Sequence, residues 1–120
     1  MQNGRIEVAR PELIEVFSTI NGAVFQSDAE SLIFIEFSGK SLQYKFPCFL
    51  RLKKVIDRID IERMMDASHP GIEIIFLCGA EDCFVLDLKE ILNLRELLHG
   101  TFAMFQLNSI IKDRLHRHIV

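Results

Sequence analysis

The chain has no tryptophan, one tyrosine and three cysteines among its 120 residues. An odd cysteine count does not fit a fully paired disulfide framework and predicts a reducing compartment. No apolar run approaches the roughly 20 residues that span a bilayer, and the first residues do not resemble a secretory signal. We therefore predict a cytoplasmic protein that has no membrane partner.

Common functional motifs are also missing from the sequence. Neither Gly-x-Gly-x-x-Gly nor Gly-x4-Gly-Lys-Ser/Thr occurs, which leaves no support for nucleotide binding through a glycine loop. No Gly-x-Ser-x-Gly elbow is present, and the net charge of −3 gives no general attraction to nucleic acid. The sequence therefore predicts no catalytic residue, no cofactor and no nucleic-acid partner.

Phenylalanine, in contrast, is abundant, with ten residues in a chain that is 49% hydrophobic. Phenylalanine has no polar tip to place, so it suits a dry core or a dry protein interface better than a wet ligand site. This excess predicts that a second copy of the chain covers some apolar surface.

Residues 1–12 are expected to form a weakly ordered leader ahead of a single domain over 13–120. Asn21-Gly22 separates two runs rich in β-branched and aromatic residues, which predicts a hairpin with a type I′ turn. A short helix is the alternative, because Pro11 suits the first helical position and apolar residues follow it at helical spacing. The density of Val, Thr, Ile and Phe favours the hairpin.

Two segments of similar pattern follow, over 31–67 and 71–99, and predict tandem ββα units. Each contains an apolar strand, a tight turn with glycine, a second strand and an amphipathic helix. The two turns are Ser38-Gly39 and Cys78-Gly79. Each unit has one apolar face that only another unit can cover, so the pattern predicts that the two units pack together.

The helices of the two units have different start signals. Pro47 suits a helix start. Apolar residues recur at intervals of three and four residues after it, which predicts one helix from Pro47 to the turn at 66–71. In the second unit, Asp87 is followed three residues later by Glu90, which predicts an N-cap and its capping-box partner.

A further helix is expected over 101–119. Gly100 either kinks one long helix or separates two, because glycine inside a helix costs about 1 kcal/mol relative to alanine. The first turns are apolar in several directions and need cover on more than one side. The chain's own sheet can supply one cover and a second copy the other. We therefore predict a homodimer interface at Phe102, Met104, Phe105 and Leu107.

Together these elements predict an α+β domain of two layers, with a largely antiparallel sheet of about six strands and two or three helices on one face. The Asn21-Gly22 hairpin, the apolar strand Leu32–Phe37, the Phe46-Pro-x-Phe49 helix entry and the Leu-rich last helices resemble a small bacterial family of uncharacterised proteins. The resemblance covers about residues 14–118. It implies a compact α+β domain and lends no activity and no catalytic residue.

Cysteines are the side chains from which a metal or redox site would be built. Cys78 and Cys83 flank a four-residue turn, where they could form a disulfide or bind a soft metal. No second Cys or His pair lies at a suitable spacing, so two ordinary strand cysteines are favoured and no metal site is predicted. Cys48 is expected to be a small core residue at a helix start.

The histidines and paired carboxylates are expected to have structural rather than chemical roles. His116 and His118 lie two residues apart and do not share a helix face, while His69 and His99 lie near helix ends. The carboxylates are expected to be solvated, on a helix (Asp57, Asp60 and Glu62) or on a hairpin tip (Glu81 and Asp82).

These observations favour a non-catalytic binding or interaction module that forms a homodimer, with an unidentified protein partner as a further option. Two alternatives stay open. One is a small-ligand binder or enzyme with a pocket between sheet and helices that uses Cys78, Asp82 or Cys83. The other is a metal or redox site at Cys78 and Cys83.

Overall fold

The structure is a computed structural model that describes residues 13–27, 31–75 and 84–119, with side chains described as far as residue 110. These ranges contain six strands and three helices. In chain order they are β1 (Leu13–Thr19), β2 (Gly22–Ser27), β3 (Leu32–Phe37), β4 (Lys40–Lys45), α1 (Phe46–Asp57), α2 (Ile61–Met64), β5 (Ile72–Ile75), β6 (Phe84–Asp87) and α3 (Leu88–Ile119).

The predicted α+β class is confirmed, but the six described strands do not form one sheet. β1 to β4 make a four-stranded antiparallel sheet in sequence order, and β5 pairs with β6 in a separate two-stranded sheet. Within the four-stranded sheet, Leu42 and Tyr44 face the core, while Gln43 and Lys45 are exposed. This is the half-exposed strand that alternation predicts.

The hairpin between β1 and β2 is confirmed, but its turn lies one residue earlier than predicted. Thr19 pairs with Gly22, so the two loop residues are Ile20 and Asn21. Neither Ile20 nor Asn21 is among the residues with positive φ in the described part of the chain, so the turn is not type I′. Asn21 instead donates its backbone N–H to Thr19 Oγ1 at 3.0 Å, which stabilises a different turn.

The turn between β3 and β4 has the predicted geometry. Phe37 pairs with Lys40, which leaves Ser38 and Gly39 as a two-residue loop. Both have positive φ, at 54° and 75°, as a turn that matches the twist of its strands requires. The second predicted glycine turn, Cys78-Gly79, lies outside the described residues.

The single helix predicted from Pro47 is wrong in extent, because the segment forms two helices. α1 ends at Asp57, and α2 begins at Ile61 with Asp60 as its N-cap, which accepts from the Arg63 N–H at 3.1 Å. Arg95 of α3 donates to the carbonyls of Ile56 (2.9 Å) and Ile59 (3.0 Å). These carbonyls lie where α1 ends, so a side chain from another element satisfies acceptors that the helix leaves open.

α3 starts as predicted and passes through Gly100 without a break. The Glu90 N–H donates to Asp87 Oδ1 at 2.8 Å, and the Asp87 N–H donates to Glu90 Oε1 at 3.0 Å, which is a complete capping box. Gly100 lies against Phe17 of β1, and a Cβ at this position would overlap the Phe17 ring. The glycine therefore permits a close approach of helix and sheet.

One continuous core joins both sheets to α1, α2 and α3. Its edge-to-face pair Phe37 and Phe84, with ring centroids 6.1 Å apart, links β3 of the larger sheet to β6 of the smaller one. The hydrophobic side chains with no exposed surface are Val24, Ile35, Phe49, Leu52, Ile56, Leu86, Ile91, Leu94, Leu97 and Leu98. In the described part of the chain, none of the helices combines the length and the apolar character needed to cross a bilayer.

Candidate functional site

The four residues predicted to form a dimer interface divide into two groups, because Phe102, Met104 and Phe105 are half-buried and Leu107 is exposed. Phe102 and Phe105 are half-buried and contact α1 of the same chain. Phe102 stacks on Phe49 at 5.3 Å, and Phe105 lies edge to face with Phe46 at 5.8 Å. Their rings therefore attach α3 to α1 within one chain, and only their remaining surface is open to a partner.

Leu107, in contrast, is 47% exposed and faces away from the chain's own core. It shares one face of α3 with Ala103 and Ile110, because residues three and four apart are neighbours on a helix. Both of these are exposed, Ile110 by 54%. All residues from 106 to 110 are exposed, and the helix continues to Ile119. An apolar stripe, Ala103–Leu107–Ile110, thus lies on the outer side of the second half of α3.

A second apolar surface lies on the β5–β6 hairpin. Ile74 pairs with Val85 across the two strands, and Ile72 is two residues before Ile74, so all three share a face. Their exposed fractions are 53%, 51% and 45%, in that order. The other face, with Ile75 and Leu86, is buried in the core. This hairpin is therefore apolar on both sides, although only one side has a partner in the described part of the chain.

Cys48 lies in the first turn of α1, half-buried against the core as predicted. It is also disulfide-bonded, which the prediction of reduced thiols did not include. An odd cysteine count excludes a complete framework but allows one bridge and one remaining thiol. Cys78 and Cys83, together with Glu81 and Asp82, lie outside the described residues.

The two histidines whose side chains are described are held by carboxylates. The His99 Nε2 lies 3.0 Å from Asp57 Oδ1, and the His69 Nε2 lies 3.3 Å from Glu73 Oε2. The Gly71 N–H donates to the His69 Nδ1 at 2.9 Å, so in the neutral ring Nε2 carries the hydrogen and donates a hydrogen bond to Glu73. The side chains of His116 and His118 are outside the described set.

Asp57 joins α1 to α3 through two neighbouring side chains. Lys53 of α1 forms a salt bridge with Asp57 Oδ2, and His99 of α3 contacts Oδ1. Partial burial by itself would raise the pKa of Asp57, but the hydrogen bonds from Lys53 and His99 outweigh it and hold the pKa below its ordinary value. The Lys53 ammonium also lies 5.4 Å from the Phe102 ring centroid. Asp57 is therefore exposed, as the sequence predicts, and also links α1 to α3.

A surface cavity of about 380 Å³ lies beside the break between α1 and α2. Its wall includes the cations Arg58 and Arg63, the apolar side chains Val55 and Ile59, and three further residues, Asp60, His69 and Glu73. Neither arginine is among the site residues predicted from the sequence. In one continuous helix, Arg58 and Arg63 would be five residues apart and would not share a face. The sequence signal that could have predicted the cavity is Asp60, because an aspartate there can cap a new helix and so break the first one.

Two other surface cavities have no comparable grouping of charges. One, of about 520 Å³, lies between the turns of the two hairpins of the larger sheet, and the other, of about 180 Å³, lies beside Ser27 and Phe46. Across residues 13–27, 31–75 and 84–110, three or more His, Cys, Asp or Glu side chains never gather as a metal site would require. Comparison of this chain with protein-family models, curated proteins and solved structures gives no match.

Proposed function

We propose that this protein is a non-catalytic interaction module that pairs with a second copy of itself through the outer face of α3. One observation carries the proposal: α3 runs on to Ile119, while its residues 106–110 are all exposed and include Leu107 and Ile110. From residue 106 the remaining 14 positions extend about 21 Å. A helix with exposed apolar residues gains stability when another surface covers them.

The surroundings of the titratable groups support a non-catalytic role. Asp60 caps α2, Asp57 tethers α1 to α3, and His69 is fixed between Glu73 and Gly71. Catalytic acids and bases need a recess that shifts their pKa values toward the working pH. The pKa of Asp57 moves in the opposite direction, away from neutrality.

The packing between sheet and helices also favours this proposal over an enzyme with a central pocket. Val24 and Ile35 of the sheet, Leu52 of α1, and Leu94 and Leu97 of α3 have no exposed surface. Side chains that fill this layer leave it without the concave space that small-molecule sites use. The residues Cys78, Asp82 and Cys83 of that alternative lie outside the described part of the chain.

Light scattering after size exclusion tests the proposal with two double variants of the 13.9 kDa chain. L107E/I110E places two carboxylates in the apolar stripe and should convert a dimer of twice the chain mass into a monomer. The matched control N108E/S109E adds the same charge at exposed residues on the other side of the helix, and it should remain dimeric. A wild type that is monomeric up to millimolar concentration, or a control that dissociates equally, would disprove the proposal.

The cytoplasm remains the proposed location, and a thiol count tests it against the disulfide at Cys48. The chain has three cysteines, so one disulfide leaves one free thiol. Protein from its native cells, with its thiols alkylated at the moment of lysis before any reductant is added, should carry three alkyl groups per chain. A count of one would place the protein in an oxidising compartment, where disulfides persist.

A further inference from the structure

Two cations in the cavity beside the α1–α2 break form no ion pair with the residues that the structure describes. Neither the Arg58 nor the Arg63 guanidinium contacts a carboxylate of the residues that the structure describes. Arg95, in contrast, donates to three backbone carbonyls, and Lys53 pairs with Asp57. Both cavity arginines are therefore available to an external anion.

The two acids in the cavity wall are already engaged by other groups. Asp60 Oδ1 accepts from the Arg63 N–H at 3.1 Å, as the N-cap of α2. Glu73 Oε2 accepts from the His69 Nε2 at 3.3 Å. Each carboxylate thus accepts a hydrogen bond from a group other than the two guanidiniums. The described residues accept no hydrogen bond from the guanidinium group of Arg58 or Arg63. Guanidinium groups suit carboxylates because both can form two parallel hydrogen bonds.

The remaining wall of the cavity is apolar. Ile59 is half-buried and packs against the core, and Val55 is 36% exposed beside it. The volume of about 380 Å³ lies within the range of small-molecule sites. Two cations beside an aliphatic wall match a molecule that has an anionic head and a short hydrocarbon chain.

We propose that this cavity binds the carboxylate of a small organic acid through Arg58 and Arg63, with the aliphatic part of the acid against Val55 and Ile59. The site does not depend on the proposed self-association, because it lies at the end of α1 and not on the outer stripe of α3. The proposed site binds a ligand of defined chemistry and does not catalyse a reaction.

Titration of isotope-labelled protein with pentanoate, followed by amide chemical shifts, tests this site. We expect the shift changes to centre on Val55, Arg58, Ile59 and Arg63. R58Q/R63Q should weaken binding roughly tenfold or more, because two charge-assisted contacts are lost. The matched control K54Q removes an exposed α1 cation that does not line the cavity, and it should bind as the wild type does.

Two further probes separate the parts of the proposal. Pentan-1-ol carries the same hydrocarbon chain without the charge, and inorganic phosphate carries charge without the chain. Both should bind more weakly than pentanoate. Absence of shifts with pentanoate, equal weakening in K54Q, or equal binding of either probe would overturn the assignment to an organic acid. Circular dichroism of R58Q/R63Q should match the wild type, since both arginines are exposed.

Discussion

The two hairpin-helix units, β3–β4–α1 and β5–β6–α3, start from similar apolar patterns and reach different environments. In the first unit, β3 lies between β2 and β4 in a four-stranded sheet, whereas β5 and β6 form a sheet of their own. An isolated two-stranded hairpin is marginal in water. The second hairpin therefore depends more on its contact with the common core, and Phe84 against Phe37 is part of that contact.

The outer faces of the two hairpins differ as well. β4 exposes polar residues, Ser41, Gln43 and Lys45, on the side away from the core. The second hairpin exposes Ile72, Ile74 and Val85 there. Both hairpins thus place every second residue toward the core, but the opposite face is polar in β4 and apolar in the β5–β6 hairpin. Inward residues decide whether a unit joins the core, and outward residues decide what else it can contact.

The largest expected effect comes from removing a buried ring from either unit. Phe49→Ala and Phe84→Ala should each lower the free energy of unfolding by about 3–5 kcal/mol, because the two residues are 0% and 1% exposed. Urea unfolding should remain a single transition in both variants, since the units share one core. Val85→Ala is the matched control at an exposed position and should change stability little. A separate early transition in Phe84→Ala would show that the second hairpin unfolds independently.

Gly100→Ala tests the contact that attaches the second unit's helix to β1. Alanine favours a helix by about 1 kcal/mol, but its methyl group would overlap the Phe17 ring. Overpacking of this kind typically costs about 1–3 kcal/mol, so we expect a net loss of stability or none, and no gain. In a Phe17→Ala background the same substitution should be stabilising. Thermal unfolding measures the effect of Gly100→Ala in the wild type and in the Phe17→Ala background. If Gly100→Ala alone stabilises the protein, the close contact with Phe17 is wrong.

The helix starts allow a matched comparison of smaller size. Asp87 caps α3 with its side chain, whereas Lys45 at the same position before α1 makes no capping hydrogen bond. Asp87→Ala should cost about 0.5–2 kcal/mol of unfolding free energy, while Lys45→Ala should cost less than about 0.5 kcal/mol. If urea unfolding shows the same loss of unfolding free energy in both variants, the capping hydrogen bonds of Asp87 do not stabilise the protein.

The smallest effect is the pH dependence of the Asp57 tether between the two units. The pKa of Asp57 is lowered in the folded protein, so its contribution is present above the carboxyl's ordinary pKa and is lost as pH falls through the folded value. Asp57→Asn should therefore be less stable than the wild type at neutral pH and should approach it in acid. Urea midpoints across this pH range measure the effect. A difference that does not change with pH would exclude the charge as its cause.

Local signals in the sequence predicted several elements correctly. Ser38-Gly39 specified a two-residue turn because positive φ at successive positions is a property of few residue pairs. Asp87 and Glu90 specified the start of α3 because both partners of a capping box lie within one turn. The inward-facing residues of β4 could be predicted because side chains in a strand alternate between its two faces. Each of these signals acts over a few residues of the chain.

Signals that depend on distant residues were interpreted wrongly or left open. The break after Asp57 depends on Arg95, which lies far along the chain and satisfies the last carbonyls of α1. The close contact of Gly100 with Phe17, whose ring occupies the space of the missing Cβ, also joins residues far apart in the chain. Alternatives at such positions differ by about 1 kcal/mol locally, so a single tertiary contact is enough to decide between them.

The candidate sites show the same division. Leu107 could be predicted as a surface residue of a long helix, but the attachment of Phe102 and Phe105 to α1 could not. The cavity at Arg58 and Arg63 exists because the chain turns between two helices, and helical periodicity predicted one helix there. The Cys48 disulfide depends on which parts of the chain are adjacent, which cysteine spacing alone leaves undetermined.

By itself, the sequence determined the α+β class, the hairpins, the helix start at Asp87 and the residues that face inward, because hydrophobic period and turn chemistry act between near neighbours. Tertiary structure alone decided that the strands divide into two sheets, that α1 ends at Asp57, and that Arg58 and Arg63 border one cavity. The reason is physical: pairing, capping by remote side chains and close packing are contacts between distant residues, and their free energies arise only when the chain has brought those residues together.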